Sequence, residues 1–138
     1  MKLNDFIEKG QVRKASKDIA LVKSLVYTAE NDLKFLDNLD INDNSARKIM
    51  SNYYDVLRSI VEAISVLDGY KIYSHEAFTY FLKEKDEELI ALKFDRFRMV
   101  RNGINYYGKI ISVEEVKENV KEIIKLIKEL KTKYLSKF

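Results

Sequence analysis

Apolar residues recur at intervals of three and four along most of the chain, which is the spacing of one helical face. The pattern predicts five helical segments. The first runs from Ala15 to Leu36, the second from about Ala46 to Leu67, and a short one covers residues 75–84. The last two run from about Glu88 to Tyr107 and from Val113 to Tyr134. No apolar pattern alternates over the length of a strand, so the sequence predicts an all-α fold without a sheet.

Short polar connections separate the predicted helices. The segment DNLDINDNS at residues 37–45 is rich in Asp and Asn, which bond to the local backbone and end helices. Gly69 and Gly108 are placed to close the helices before them, and Ser74 is placed to cap the short helix. Ser112 stands three residues before a glutamate in a capping-box pattern. Helices joined by such short loops pack beside each other, so we predict an antiparallel up-and-down bundle of four to five helices.

Outside these helices the chain has few distinguishing features. Residues 1–138 contain no internal repeat, and one bundle domain over the whole length is predicted. The segment GYKIYS at residues 69–74 is interpreted as a plain connection. The first ten residues and the last eight, KTKYLSKF, are expected to be flexible, as chain ends usually are.

Composition narrows the classes of function. The chain has 25 Lys and Arg against 22 Asp and Glu, and the resulting charge of +3 is too small by itself to indicate nucleic-acid binding. It contains no cysteine, one histidine and none of the Glu-x-x-His or His-x-x-x-His pairs of metal-binding bundles, so no metal or cofactor is predicted. No apolar run approaches the roughly 18 residues of a membrane span, and the start MKLNDFIEKG lacks the apolar core of a signal peptide. A cytoplasmic protein without membrane contact is therefore expected.

A polar strip borders the apolar face of the predicted helix 88–107. The stretch RNGINYY places Arg101, Asn102 and Asn105 there, and Arg98 lies beside them at 100° per residue. A half-buried guanidinium needs a partner, because an unpaired charge costs several kcal/mol. Arg101 therefore either pairs with a carboxylate of a neighbouring helix or serves as a phosphate clamp, since its planar fork matches two phosphate oxygens.

Nearby cations and aromatic side chains extend this strip. Lys109 adds a positive charge, and Tyr73, Tyr106 and Tyr107 offer surfaces on which the bases of a single strand can stack. The candidate RNA-binding residues are Arg98, Asn105, Tyr107 and Lys109. Each tyrosine has packing in the core as its alternative role.

The stretch RFRMVRNGINYYGK, residues 96–109, resembles the signature helix of the HEPN family, whose motif is an arginine, a polar residue and a histidine a few positions on. The preceding segment GYKIYSHEAFTYFL resembles the corresponding part of archaeal members of that family. The resemblance implies a helical bundle, a dimer that brings two signature helices together and, in many members, metal-independent RNA cleavage. Other members pair with a small nucleotidyltransferase as toxin and antitoxin. Arg101 matches the family arginine, and Asn102 matches the polar position after it.

The motif histidine is absent from this chain. The positions where the motif expects it hold Tyr106 and Tyr107. Metal-independent cleavage needs a base for the 2′-hydroxyl proton and a cation for the developing charge, and Arg101 supplies only the cation. A free tyrosine side chain, with a pKa near 10, is a poor base at neutral pH. The single histidine, His75, begins the short helix and is either a surface or capping residue or a base that the fold brings beside Arg101.

Three hypotheses follow. The first is a dimeric HEPN-type RNA-binding or interaction module whose cleavage activity is weakened or lost. The second is an active metal-independent ribonuclease toxin in which Tyr106 or His75 replaces the usual base. The third is a helical adaptor whose main partner is a nucleotidyltransferase. The candidate catalytic residues are Arg101, Asn102, Tyr106 and His75, and the expected partners are RNA, a second copy of the chain and a nucleotidyltransferase of a toxin-antitoxin system.

Overall fold

The computed structural model describes all residues from Met1 to Phe138 and consists mainly of α-helices. Six helices and one two-stranded antiparallel sheet follow one another along the chain. In chain order the elements are α1 (Leu3–Glu8), β1 (Val12–Lys14), α2 (Ile19–Asp37), α3 (Ala46–Leu67), β2 (Tyr70–Ile72), α4 (His75–Glu84), α5 (Glu88–Tyr107) and α6 (Val113–Tyr134). The predicted all-α class is confirmed, with six helices in place of four to five.

α3 is the central helix of the fold. Its apolar residues repeat at helical spacing, and 14 of its 22 residues are buried, so it is covered on most sides. It packs against α2, α4, α5 and α6. The buried apolar side chains of all six helices and of β1 form one continuous cluster. Burial of each large apolar side chain contributes roughly 1.5–3 kcal/mol, and this cluster therefore holds α5 and the start of α4 against α3.

The bounds of the last four helices match those predicted from the apolar spacing. Local residues explain two of these ends. Gly108 closes α5 with a left-handed φ of 63°, and the Ser112 hydroxyl caps α6 by accepting a hydrogen bond from the Glu115 amide at 3.1 Å. None of the six helices is at once long enough and apolar enough to cross a bilayer.

One helix start and one predicted cap differ from the prediction. α2 begins at Ile19 instead of Ala15, because the Asp18 carboxylate accepts a hydrogen bond from the Leu21 amide at 3.0 Å and caps the helix there. Ser74 directly precedes α4, but its side chain makes no capping hydrogen bond. The first turn of α4 is therefore held by its packing and not by the predicted cap.

The first ten residues contain a helix, contrary to the expectation of a flexible segment. α1 buries Leu3 and Phe6, and the Phe6 ring lies 5.1 Å from the Tyr80 ring between their centroids. Near the other end of the chain, Leu135 is buried as well. A helix of six residues is too short to show a periodic pattern, which is why the apolar spacing did not reveal it.

The prediction of a fold without a sheet is wrong in one place. β1 pairs with β2 in antiparallel register, with Arg13 opposite Lys71 at its centre. The segment GYKIYS is thus a strand and not a plain connection. Gly69 enters it with a left-handed φ of 88°, and its carbonyl accepts a hydrogen bond from the Ala15 amide at 2.8 Å. Strands of three residues are too short to show the alternation by which a sequence reveals a sheet.

Candidate functional site

Polar side chains of α3 and α5 meet beside the first residue of α4. α3 contributes Tyr54 and Asp55, α5 contributes Arg101 and Tyr106, and α4 contributes His75. We call these five residues the Arg101 site. The apolar cluster on either side fixes the three helices, and the site therefore has a rigid frame.

Tyr54 links His75 to Arg101. Its hydroxyl lies 3.0 Å from Nδ1 of His75, and the two rings stack with their centroids 5.9 Å apart. The guanidinium carbon of Arg101 lies 5.9 Å from the centroid of the same Tyr54 ring, within the range of a cation–π interaction. Tyr54 itself is fully buried. The fold thus brings His75 and Arg101, which are 26 positions apart in the sequence, to the same tyrosine ring.

Arg101 uses few of its hydrogen-bond donors within the chain. One terminal nitrogen donates to the Tyr106 hydroxyl at 3.1 Å. Nε lies 4.0 Å from Oδ1 of Asp55, and it is buried without a hydrogen-bond partner. A guanidinium carries five N–H donors, so most of this hydrogen-bonding capacity is unused. Asp55 on the neighbouring helix balances the charge of Arg101 but does not satisfy its donors.

Two further arginines lie close to the site, and each hydrogen-bonds a carboxylate. Arg58 donates to Glu62 at 2.9 Å. Arg98 contacts Oδ1 of Asp95 through Nε at 3.0 Å and through a terminal nitrogen at 2.9 Å. Arg98 was a candidate RNA-binding residue, and in the free protein its guanidinium is already bound to a carboxylate. Among the three arginines, Arg101 is the one that makes no hydrogen bond to a carboxylate, and its Nε is buried without a partner.

Burial and three nearby arginines together keep the histidine unprotonated. Burial lowers the pKa of His75 to about 4, and the positive charges of Arg58, Arg101 and Arg98 add to this effect. The imidazole is consequently neutral at pH 7. Burial raises the pKa of Tyr54 although the same arginines oppose it, so this side chain stays a neutral phenol.

Asp55 is the carboxyl group of the site, and burial also disfavours its charged form. Burial raises the pKa of Asp55, while the charges of Arg101 and Arg58 act to lower it. A carboxylate that is costly to ionise is a weak partner for a guanidinium. The site therefore combines a neutral imidazole, a neutral phenol, the carboxyl group of Asp55 and a guanidinium whose unused donors can bind an incoming anion.

The remaining candidate residues lie at the end of α5. Asn105 accepts a hydrogen bond from the Ser51 hydroxyl at 2.9 Å, while the half-buried Asn102 makes no side-chain hydrogen bond. Lys109 is exposed and lies against the backbone of Gly103. Tyr107, whose alternative role was packing in the core, is 78% exposed. It is the last residue of α5, and no other element covers it.

The site residues on α3 were not among those predicted from the sequence. Tyr54, Asp55 and Arg58 all lie on the side of α3 that meets α5 and α4. With Ser51 they form a polar stripe with steps of three and four on a largely buried helix. That stripe was a usable signal, because polar residues at core spacing on a buried helix require partners.

A comparison of the chain with family models, with curated proteins and with solved structures finds no match in any of the three. The functional interpretation of the Arg101 site therefore depends on its own geometry and on the motif in α5.

Proposed function

We propose that the chain is a dimeric HEPN-type RNA-binding module whose cleavage activity is weakened or lost. The observation that carries the proposal is the unused hydrogen-bonding capacity of Arg101, which lies on the helix that resembles the family signature. A phosphodiester offers two oxygens that match a guanidinium fork. An RNA phosphate bound there would satisfy donors that the chain leaves free.

The weakness of every available base supports the loss of cleavage. Tyr106 occupies the position of the motif histidine, and its hydroxyl accepts a hydrogen bond from Arg101. His75 shares its Nδ1 with Tyr54, and its pKa of about 4 makes it a weak proton acceptor at neutral pH. Loss of an effective general base commonly lowers the rate by about two to four orders of magnitude.

Exposed apolar residues in the second half of α5 and just after its end support the dimer. Met99, Tyr107 and Ile110 are 57%, 78% and 92% exposed. Met99 and Ile110 also line an open groove of about 450 Å³ whose rim carries Arg96 and Glu115. An isologous contact between two copies would bury these exposed apolar side chains. Such a contact would bring two α5 helices, and with them two Arg101 sites, close together.

One observation favours the alternative of an active ribonuclease. Tyr54 connects His75 to Arg101, so a phosphate on Arg101 would lie near an imidazole. An anion bound there raises the pKa of a nearby histidine and makes it a better base. The adaptor hypothesis instead makes the polar strip around Arg101 the interface with a nucleotidyltransferase. Association with such a partner, as toxin and antitoxin, remains part of the proposal.

RNA binding can be tested by fluorescence anisotropy with a labelled single-stranded RNA over a range of salt concentrations. Arg101→Ala should weaken binding about tenfold, as expected for the loss of a charge-assisted hydrogen bond. Arg101→Lys should recover part of the affinity, because it keeps the charge and loses the fork. Lys125→Ala is the matched control, since it removes an exposed charge of α6 that takes part in no ion pair. Equal affinity of the Arg101→Ala variant and the unaltered protein would refute the proposal.

A further inference from the structure

The small sheet presents one face to the core and the other to solvent. Val12 on β1 and Ile72 on β2 point toward the apolar cluster. Side chains alternate along a strand, so Arg13 and Lys71 share the opposite face. Both are exposed, and they lie directly across from each other in the register. We call Arg13, Lys71 and the following Tyr73 the outer face of the sheet.

The pairing of Arg13 with Lys71 is unfavourable for the free protein. Like charges directly opposite each other in an antiparallel pair destabilise a sheet. Neither residue takes part in any ion pair of the fold, and the same is true of the neighbouring Lys14 and Lys17. The positive charge of this face is therefore uncompensated within the chain.

The positive charge is concentrated here well beyond the average of the protein. Residues 9–17, KGQVRKASK, contain four cationic residues and no acidic one, whereas the whole chain carries only +3. A groove of about 520 Å³ beside the sheet is lined by Arg13, Lys17 and Lys71. Asp18 is the acidic residue of this groove, and its carboxylate is occupied in capping α2. The local field thus favours an anionic partner.

An aromatic side chain completes the outer face. Tyr73 is 60% exposed, and its amide donates to the Gln11 carbonyl at 2.8 Å, so the strand geometry continues to this residue. It follows Lys71 by two positions and therefore lies on the same face. Cations that track a backbone, combined with an aromatic ring on which bases stack, are the elements of single-strand binding.

We infer that the outer face of the sheet is a second docking surface for single-stranded RNA, with Arg13 and Lys71 contacting phosphates and Tyr73 stacking on a base. The inference rests on the RNA binding proposed for the Arg101 site. Tyr73 precedes His75 by only two residues, so the outer face of the sheet and the Arg101 site are neighbours along the chain. A strand longer than the Arg101 site can hold would continue over the sheet.

The test compares two RNAs of about 4 and about 16 nucleotides, lengths that bracket the usual size of a single-strand site. The double variant Arg13→Ala/Lys71→Ala should bind the longer RNA about tenfold more weakly and bind the shorter one unchanged. Its salt slope with the longer RNA should fall by about 1.4, which corresponds to two lost phosphate contacts. Tyr73→Ala should also weaken binding of the longer RNA while leaving the salt slope unchanged, because stacking releases no counterions.

The control is Lys117→Ala/Lys125→Ala, which removes two exposed, unpaired charges from α6 and should leave both affinities nearly unchanged. If Arg101→Ala weakens binding of both RNAs but the Arg13→Ala/Lys71→Ala variant matches the unaltered protein, the second surface is refuted and the proposed function stands. If the unaltered protein binds neither RNA, both fail. If the Arg13→Ala/Lys71→Ala variant lost the unaltered protein's binding to vesicles containing phosphatidylserine while its RNA affinity stayed unchanged, the surface would be a membrane-binding one. That result would overturn the inference. Thermal melting should show that the double variant is at least as stable as the unaltered protein, since a like-charge pair has been removed.

Discussion

The hydroxyl of Tyr54 lies 3.0 Å from Nδ1 of His75, and this contact joins the central helix to the start of α4. It keeps one ring nitrogen of the histidine occupied in a partly buried environment where water is restricted. Because the ring of Tyr54 also faces the guanidinium of Arg101, a change at this tyrosine alters both functional groups at once.

Tyr54→Phe should lower the free energy of unfolding by about 1 kcal/mol, because it removes a hydrogen bond and leaves the His75 nitrogen without its partner. Urea denaturation measures this difference. Tyr53→Phe is the matched control, because Tyr53 is the preceding residue of α3 and is also buried. The hydroxyl of Tyr53 makes no hydrogen bond within the chain. An equal loss in both variants would mean that the hydrogen bond contributes nothing.

Stability should fall as the pH is lowered from about 6.5 to about 4. The pKa of His75 is about 4 in the folded protein and 6.5 for the free side chain, so the unfolded chain binds more protons between these values. Protons therefore favour unfolding in this window, and the effect vanishes above it. The ring is only partly buried, which limits the expected loss to about 1–2 kcal/mol.

The comparison of the unaltered protein with His75→Gln isolates this contribution, because the two proteins have the same carboxyl groups. Urea denaturation at pH 7, 6 and 5 should give a steeper decline for the unaltered protein than for the variant. Parallel curves would show that His75 does not have a depressed pKa in the folded state.

The purified protein should bind RNA and cut it weakly or not at all. Restoring a base by Tyr106→His should raise any trace activity, and Arg101→Ala should abolish it. Products that end in a 2′,3′-cyclic phosphate, formed equally in the presence of chelators, would identify the metal-free route. Tyr27→His serves as the control, because it places the same side chain on an exposed residue of α2, outside the motif.

Strong cleavage by the unaltered protein would contradict this expectation. If that cleavage were lost in Tyr106→Phe, the phenol would be the base. Its loss in His75→Ala would assign the role to the histidine, and either result would establish the active ribonuclease of the second hypothesis.

The protein should be a dimer at tens of micromolar in light scattering. Ile110→Glu should shift it toward the monomer, because a charge on this exposed residue opposes burial in an apolar contact. Tyr27→Glu places the same charge at an exposed aromatic residue of α2 and should leave the dimer intact. A monomer in the unaltered protein would exclude a site composed of two Arg101 residues.

Local sequence determined the larger helices of this protein. The bounds of α3 to α6 could be predicted because apolar spacing and end signals, such as Gly108 after α5, act within a few residues of the chain. The class of the fold followed from the same information. The polar strip around Arg101 was also visible, because a cation beside an apolar face stands out in a helical projection.

The contacts between residues far apart in the sequence depend on the tertiary structure. The sheet depends on pairing Val12–Lys14 with Tyr70–Ile72, and such short strands have no pattern of their own before they pair. The Arg101 site likewise needs α3, α4 and α5 packed together, because its geometry arises from contacts between helices and not within one. The sequence by itself selected Arg101 and His75 as candidates, but the packing of α3 placed Tyr54 between them and left the guanidinium with unused donors.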